Sequence, residues 1–428
     1  MLLKQLPRRC MLLLATLILY NQLSAQNTDT LKITMQDAEQ RFIKQNLSLL
    51  AQQYNVDVAK AQVMQARLFP NPNLSLTGNM YNPEQKKVAD ISNRTGEYII
   101  NAQQLIRLAN KRNKEIAVAE TNVTLSENRF YDLLRTLRYS LRSTFYNAWF
   151  TQNSIHAFDT QIAQLETLSS AYNALQAKGI VTLKDAVRIQ SLLYSLRAEQ
   201  TGLKNQLNEM ESDLELLLQN NKSYIVPVAD TNAVFTSSVI QLPLQALIDS
   251  AYANRYDLML ASNIIQYNQR NYQLQQAYAK PDLTIGAAFD KRGSFVHNAS
   301  FLTLAMDLPF RNRNQGNIKA ARISVDQSKV QLNQQQQLVE NQVQRAYIRA
   351  LNNNRMLQSI DPNFRSRFER LLEAITENFK KKNISLIEFT DFYESYKNNI
   401  LQFNQLQNER MQTLENLNFT IGKTIVNY

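Results

Sequence analysis

The chain has 428 residues and a formal net charge of +11, with only 8 glycines and 9 prolines. So few glycines and prolines argue against a loop-rich fold and favour long helices. The positive charge is not gathered into lysine and arginine clusters interleaved with aromatic residues. Nucleic-acid binding is therefore not expected.

The first residues predict a secretory signal peptide over residues 1–25. A basic start precedes the apolar run 11–20, and small residues lead to a cleavage site between Ala25 and Gln26. The apolar run is too short to span a bilayer as an anchor helix. The only cysteine, Cys10, lies inside this segment. The exported chain is therefore expected to carry no thiol, disulfide or lipid anchor.

The remaining sequence repeats itself with a period of about 200 residues, which is the signature of an internal duplication. Residues 46–51 recur loosely at 254–261, and residues 66–76 recur at 277–285. The two repeats are assigned to residues 26–225 and 226–428. Each repeat predicts the same order of elements: helix, β-hairpin, very long helix, tight turn and helix.

Alternating apolar and polar residues predict two strands in each repeat. They cover residues 74–81 and 98–108 in the first repeat, and 283–290 and 299–308 in the second, where 291–294 form the turn. Four strands cannot close a barrel, so a barrel would need several chains. Two surface hairpins on a soluble helical protein remain the alternative.

Apolar residues recur at seven-residue spacing along both long helices, which predicts left-handed supercoiling. The first helix is expected to run without glycine or proline from Lys111 to Lys178, a length of roughly 100 Å at 1.5 Å per residue. The second extends from Ile318 to Lys382, and only Pro362 can kink or interrupt it. Helices of this length favour a tube or stalk over a compact domain.

Both long helices end in matched reversals. Gly179 and Asn383 tolerate a left-handed backbone, and Thr182 and Ser385 are predicted N-caps of the helices that follow. Asp185 and Glu388, three residues after the caps, would complete capping boxes. The apolar residues of the two turns predict a docking surface, although an ordinary helix reversal would explain the capping alone. The residues assigned to it are Gly179, Ile180, Val181, Thr182, Leu183, Asn383, Ile384, Ser385 and Leu386.

These features resemble the TolC-like outer-membrane efflux protein family, and its heavy-metal-efflux (CzcC/CusC-like) branch in particular. The most specific match is the segment 308–318, LPFRNRNQGNI, which resembles the strand-to-helix motif of that branch. Segment 108–112 resembles its first-repeat counterpart, with Ala109 and Asn110 where the family has glycines. Pro70 and Pro281 match the prolines at the change from helix to strand.

The resemblance implies a homotrimer whose twelve strands form one barrel among outer-membrane lipids, continued by a helical barrel in the periplasm. It implies that the hairpin tips meet a periplasmic adaptor (membrane fusion) protein, which connects to an inner-membrane RND pump. Glu388 and Asp391 match the positions of the family's periplasmic gate, and Asp185 would contribute from the first tip. In a trimer they would form rings of carboxylates that narrow the pore and favour cations.

The sequence offers no enzyme site. His156 and His297 lie far apart and cannot form a metal site alone, and no catalytic or phosphate-binding motif is present. No cofactor is expected. The sequence therefore predicts a passive efflux channel for metal ions or small toxic compounds. A type I secretion channel of the same fold and a soluble periplasmic coiled-coil structural protein are the alternatives.

Overall fold

A computed structural model of the chain describes residues 29–220, 223–229, 242–292, 296–361 and 363–425. The predicted signal peptide and its cleavage site at Ala25 and Gln26 lie outside these residues. The helices are α1 (Met35–Gln45), α2 (Leu47–Ala66), α3 (Lys111–Ala177), α4 (Leu183–Leu218), α5 (Leu244–Asn254), α6 (Tyr256–Tyr278), α7 (Gln315–Gln358), α8 (Phe364–Lys380) and α9 (Leu386–Ile421). The strands are β1 (Asp29–Thr34), β2 (Asn73–Gly78), β3 (Tyr81–Asn82), β4 (Lys87–Val88), β5 (Tyr98–Ile106), β6 (Ser223–Val228), β7 (Leu283–Arg292) and β8 (His297–Met306).

The two repeats enter their long helices in the same way. Asn110 and Asn314 precede α3 and α7 in the left-handed conformation, with φ of 59° and 57°. In each case the amide of the asparagine three residues later donates to the Asn110 or Asn314 side chain, over 2.6 Å. Asparagine tolerates this backbone better than most residues because its short polar side chain bonds locally. The predicted duplication is therefore confirmed at residue level.

The two long helices differ in continuity. The first, α3, is unbroken from Lys111 to Ala177, one residue short of the prediction. The second is divided into α7 and α8, and the break falls around residues 359–363. A proline restricts the residue before it and cannot donate the helical hydrogen bond. The predicted interruption near Pro362 is thus confirmed, although residue 362 itself lies outside the described residues.

The four longer hairpin strands form one antiparallel sheet in the order β2-β5-β7-β8. Paired residues on one face are mostly apolar, and those on the other face are more polar. The predicted strand ends were wrong by a few residues: β2 ends at Gly78, and the return strand is His297–Met306. The predicted turn at 291–294 begins too early, because Arg292 still pairs with His297; residues 293–295 lie outside the described part.

The sheet and the helices are joined by a buried ion pair between the repeats. Lys111, the first residue of α3, is 4% exposed and contacts the Asp282 carboxylate at 2.8 Å. Its ammonium also donates to the Lys280 carbonyl oxygen over 2.7 Å. The same Asp282 carboxylate accepts from the Leu108 backbone N–H over 2.9 Å. These bonds satisfy a lysine that could not otherwise be buried, and they fix where the helices leave the sheet.

Below the sheet, the helices pack side by side in the order α2, α3, α6, α7. Farther along, α3 and α4 form one hairpin and α8 and α9 form the other, and α9 packs against α3. A parallel pair of short strands, β1 and β6, packs with α1 onto the middle of α3, where Trp149 is buried in the core. Within the described ranges, no helix is both long and apolar enough to cross a membrane.

Candidate functional site

The first hairpin tip joins α3 to α4. Gly179 has a φ of 72°, so the left-handed position predicted from the sequence is observed. Thr182 precedes α4, and its hydroxyl oxygen accepts from the Asp185 N–H over 3.2 Å. The predicted reciprocal capping box does not form, because the Asp185 carboxylate accepts from the Thr182 hydroxyl over 2.7 Å and not from the Thr182 backbone.

The second tip joins α8 to α9 and is capped more completely. The Ser385 hydroxyl oxygen accepts from the Glu388 N–H over 3.2 Å, and the Glu388 carboxylate accepts from the Ser385 N–H over 2.8 Å. This is a full capping box. The left-handed residue is Lys382, with a φ of 62°, and not Asn383 as predicted. The Asn383 N–H instead donates to the Asn378 carbonyl oxygen over 2.9 Å, as in a helix C-terminal cap.

The two tips expose different apolar surface. At the first tip Ile180 and Leu183 are 55% and 65% exposed, and Val181 is half-buried. At the second tip the predicted exposure of Ile384 is wrong, since its side chain packs against an apolar cluster shared by both hairpins. The exposed apolar residue there is Ile387, at 58%. The sequence missed Ile387 because the turn alone does not reveal which residue faces the neighbouring hairpin.

A stack of aromatic rings holds the two tips together. The Tyr172 ring of α3 stacks on Phe379 of α8 at 5.7 Å, and Phe379 stacks on Phe389 of α9 at 4.3 Å. The Tyr393 ring packs at a tilt against Phe389, with ring centres 5.6 Å apart, and its hydroxyl donates to the Gln161 carbonyl oxygen over 3.0 Å. Burial raises the pKa of Tyr172, and the nearby Asp185 carboxylate raises it further. The hairpins therefore meet through a packed core rather than through loops.

An acidic groove runs between α4 and α9 just above the tips. Its volume is about 470 Å³. It brings the predicted gate residues Glu388 and Asp391 together with two residues that sequence reasoning missed, Glu394 and Arg188. Glu388, Asp391 and Glu394 follow one another at three-residue spacing and so share one side of α9. Asp185 is not part of the groove lining and remains bonded to Thr182.

The Glu388 carboxylate is fully exposed and stays charged at neutral pH. The hydrogen bonds from the Ser385 backbone and hydroxyl hold the pKa of Glu388 below its ordinary value of 4.5. The groove can therefore present negative charge to a cation or to a basic partner. In the described part of the chain no three or more histidine, cysteine, aspartate or glutamate side chains are arranged to hold a metal ion.

The sequence pattern of one protein family covers most of this architecture. The pattern of the family described as "Outer membrane efflux protein" matches residues 39–220 and 247–423, one match in each repeat. The chain belongs to this family. Members are passive outer-membrane channels with a periplasmic helical extension, so the chain is an outer-membrane efflux channel and not an enzyme. A comparison with curated protein sequences finds no match.

Solved structures share the fold at low sequence identity. CusC matches with a TM-score of 0.71 and 16% identity, over 91% of this chain and 92% of CusC. Its structures are described as showing conformational changes that accompany folding and transmembrane channel formation. The CmeC outer membrane channel of Campylobacter jejuni matches with a TM-score of 0.72 and 13% identity, over 91% and 86%. The open MtrE outer membrane channel of Neisseria gonorrhoeae matches with a TM-score of 0.70 and 13% identity, over 91% and 89%.

Proposed function

We propose that this member of the outer membrane efflux family is the outer-membrane channel of a tripartite RND-type system, acting as a homotrimer. Three four-stranded sheets would close a twelve-stranded barrel, and the helices would continue it as a tube through the periplasm. Metal ions or small toxic compounds would pass through it without chemical change. The observation that carries this proposal is the pair of joined hairpin tips, with exposed apolar ends beside an acidic groove.

The tips are proposed to dock a periplasmic adaptor protein, which would connect the channel to an inner-membrane RND pump. Exposed apolar side chains without a covering element mark interaction surfaces, and Ile180, Leu183 and Ile387 meet this criterion. The capped turns at Gly179–Thr182 and Asn383–Ser385 would hold these side chains in fixed positions. Leu386 and Ile384 support the surface from inside.

Glu388 and Asp391 are proposed to form the periplasmic gate, with Asp185 adding charge nearby. In a threefold assembly each carboxylate would become a ring of three around the axis. Like charges at close range repel each other and attract cations, so such rings would both narrow the pore and select its ions. Arg188 lies in the same groove and would limit the repulsion within each protomer.

Planar-bilayer recording of the purified trimer tests the gate. The double variant Glu388→Gln, Asp391→Asn is expected to raise single-channel conductance and to lower the preference for cations over anions. Glu377→Gln is the matched control, because Glu377 is an exposed carboxylate on α8 that pairs with Lys380 at 2.9 Å. Equal conductance and selectivity in the wild type and the double variant would remove the gate from the proposal.

An efflux assay in a strain that lacks its own channel tests the cargo. Expression of the chain with its adaptor and pump is expected to lower intracellular metal or dye, and omission of any one component should abolish the effect. Export of a polypeptide with an ATP-driven partner, without efflux of small cargo, would assign the chain to type I secretion. A water-soluble monomer after export would contradict both channel functions.

A further inference from the structure

A cavity separates the two hairpins near the place where α8 begins. Its volume is about 470 Å³, and it lies between α3 on one side and α8 and α9 on the other. Since α8 starts at Phe364, directly after the break that follows α7, the cavity lies beside the first turns of a new helix. Cavities of this size commonly hold small organic molecules in proteins. The side chains that line it determine which kind of molecule it can hold.

The charged side chains of the cavity are acidic. Glu369 and Glu373 line it from α8, and no lysine or arginine is found among the described residues that line it. The Glu373 side chain is exposed and forms no hydrogen bond or ion pair with another described residue. Exposed polar residues of α3, namely Asn153, His156 and Thr160, complete the rim. The cavity therefore attracts a positively charged molecule rather than an anion.

A buried hydrogen-bond acceptor lines the same cavity. Gln161 is 4% exposed, and its side-chain Oε1 accepts no hydrogen bond from any described residue. Its backbone carbonyl oxygen accepts from the Tyr393 hydroxyl over 3.0 Å, which fixes this turn of α3 against α9. Buried polar atoms in folded proteins almost always have a partner. An N–H donor on a molecule bound in the cavity would supply the partner that the Gln161 side chain lacks.

The cavity also has an apolar wall. Leu372, Tyr396 and Ile400 form it from α8 and α9, and Ala157 contributes from α3. The Tyr396 ring is 9% exposed and stacks on Phe368, with ring centres 5.6 Å apart, so the wall is held in place before any molecule binds. Aromatic faces attract cations as well as apolar surface. The lining therefore suits a molecule with an apolar body and a positive charge.

The equivalent positions of the first hairpin are occupied differently. When the two tips are matched at their left-handed residues, Tyr396 and Ile400 correspond to Leu193 and Arg197. Leu193 is buried, and Arg197 pairs with Glu166 across the first hairpin at 2.5 Å. The second hairpin thus has an isoleucine beside the cavity where the first hairpin has an arginine. An arginine at that place would repel a cationic molecule, and the isoleucine does not.

We infer that this cavity binds a small organic cation that has an apolar body and an N–H donor. The cationic amino group lies between the Glu373 carboxylate and the Gln161 Oε1, and the apolar body lies against Leu372, Tyr396 and Ile400. A metal ion fits less well, because the described residues provide no group of three metal-binding side chains. A passive conduit needs no binding site in its wall, so this inference goes beyond the proposed function.

Binding of proflavine, a planar aromatic cation with two amino groups, tests the site. Its fluorescence anisotropy, measured against increasing purified protein in a non-ionic detergent, is expected to rise and saturate. Glu373→Gln should weaken binding about tenfold, because it removes the charge that faces the cation. Glu209→Gln is the matched control and should bind as the wild type does, because Glu209 is an exposed carboxylate of α4 outside the cavity lining. Acridone, an uncharged molecule with the same three rings, should not distinguish Glu373→Gln from the wild type.

The variant Gln161→Met separates binding from folding. It removes the unpartnered acceptor and keeps the size of the side chain, so the thermal unfolding midpoint should stay the same or rise. The affinity for proflavine should nevertheless fall, by about fivefold, since the bound amino group loses its acceptor. A lower midpoint without a loss of affinity would overturn the role assigned to Gln161.

Two results would overturn the site as a whole. One is an unchanged affinity for proflavine in both Glu373→Gln and Gln161→Met. The other is a loss of binding only in the double variant Glu388→Gln, Asp391→Asn, which would place the cation in the acidic groove near the tips. Conductance measured on the same samples keeps the two proposals apart: a conducting trimer that does not bind proflavine leaves the channel proposal standing, and a protein that binds but never conducts contradicts the channel proposal alone.

Discussion

The two hairpin tips have the same design in sequence but differ in how they are held. The first tip turns at Gly179, exposes Ile180 and Leu183, and caps α4 with a single backbone bond from Asp185. The second turns at Lys382, packs the half-buried Ile384 against the aromatic core, and caps α9 with a full capping box. The first tip is therefore the more apolar surface, whereas the second is the more rigid support for the acidic groove.

The largest expected effect comes from removing the core beneath the second tip. Phe389 is 1% exposed, stacks on Phe379 and packs at a tilt against Tyr393. Phe389→Ala should cost about 3–5 kcal/mol of local stability, because it deletes buried ring surface and leaves a cavity. Hydrogen exchange of residues 172–189 and 379–393 in the purified protein should accelerate at both tips. Ile387→Ala, an exposed neighbour, is the control. Faster exchange at residues 379–393 alone would show that the tips are independent, and equal protection in the two variants would show that the Phe389 ring does not stabilise either tip.

The second-largest expected effect is on adaptor binding, which should depend more on the first tip than on the second. Leu183→Asp should weaken adaptor binding by about tenfold or more, a change of roughly 1.4 kcal/mol, because a charge replaces an exposed apolar contact. Ile387→Asp should weaken it less, since the second tip presents less apolar surface. Binding measured with the purified adaptor, and trimer formation measured on the same samples, separates docking from folding. Stronger loss at Ile387 than at Leu183 would reverse the comparison.

A smaller effect is expected at the two caps. Thr182→Ala and Ser385→Ala should each destabilise the following helix by about 1 kcal/mol, because each removes the hydroxyl oxygen that accepts from the backbone N–H three residues later. Since the pKa of Glu388 is lowered in the folded protein, its contribution is present above pH 4.5 and is lost as the pH falls through the lowered pKa. Thermal unfolding at neutral pH and at pH 3 measures how much of the stability contributed by Glu388 is lost in acid. The cap at Ser385 should weaken in acid, and a Glu388→Gln variant with unchanged acid sensitivity would contradict the role of the Glu388 carboxylate.

The smallest effect concerns the two left-handed residues. Gly179→Ala should destabilise the first turn by about 1 kcal/mol, because a side chain disfavours φ of 72° even though no atom would contact the new Cβ. Lys382→Gly should stabilise the second turn by up to about 1 kcal/mol, because glycine adopts the φ of 62° without the penalty of a side chain. Chemical denaturation of both variants measures whether the free energy of unfolding falls for Gly179→Ala and rises for Lys382→Gly. A change in the free energy of unfolding in the same direction for both variants would show that backbone strain does not distinguish the tips.

Sequence patterns predicted the elements with short-range causes. The absence of glycine and proline between Lys111 and Ala177 allows one helix, Pro362 predicts the break between α7 and α8, and Thr182 and Ser385 mark helix starts. These outcomes depend on residues within one or two turns of each other, so the local sequence contains the needed information. The resemblance to the efflux family rested on these elements together, with the local motif at residues 308–318 as its most specific part.

Other features depended on partners distant in sequence, and only the tertiary structure decided them. Ile384 is half-buried rather than exposed because it packs against the cluster shared by both hairpins, and Arg188 of α4 lies in the same groove as Glu388 and Asp391 of α9. The burial of Ile384 depends on how α8 and α9 pack against α3, since the apolar surface that each side chain can cover is set by the opposite hairpin. Heptad spacing fixes which residues share a helix face, but the neighbouring helix determines which face becomes buried.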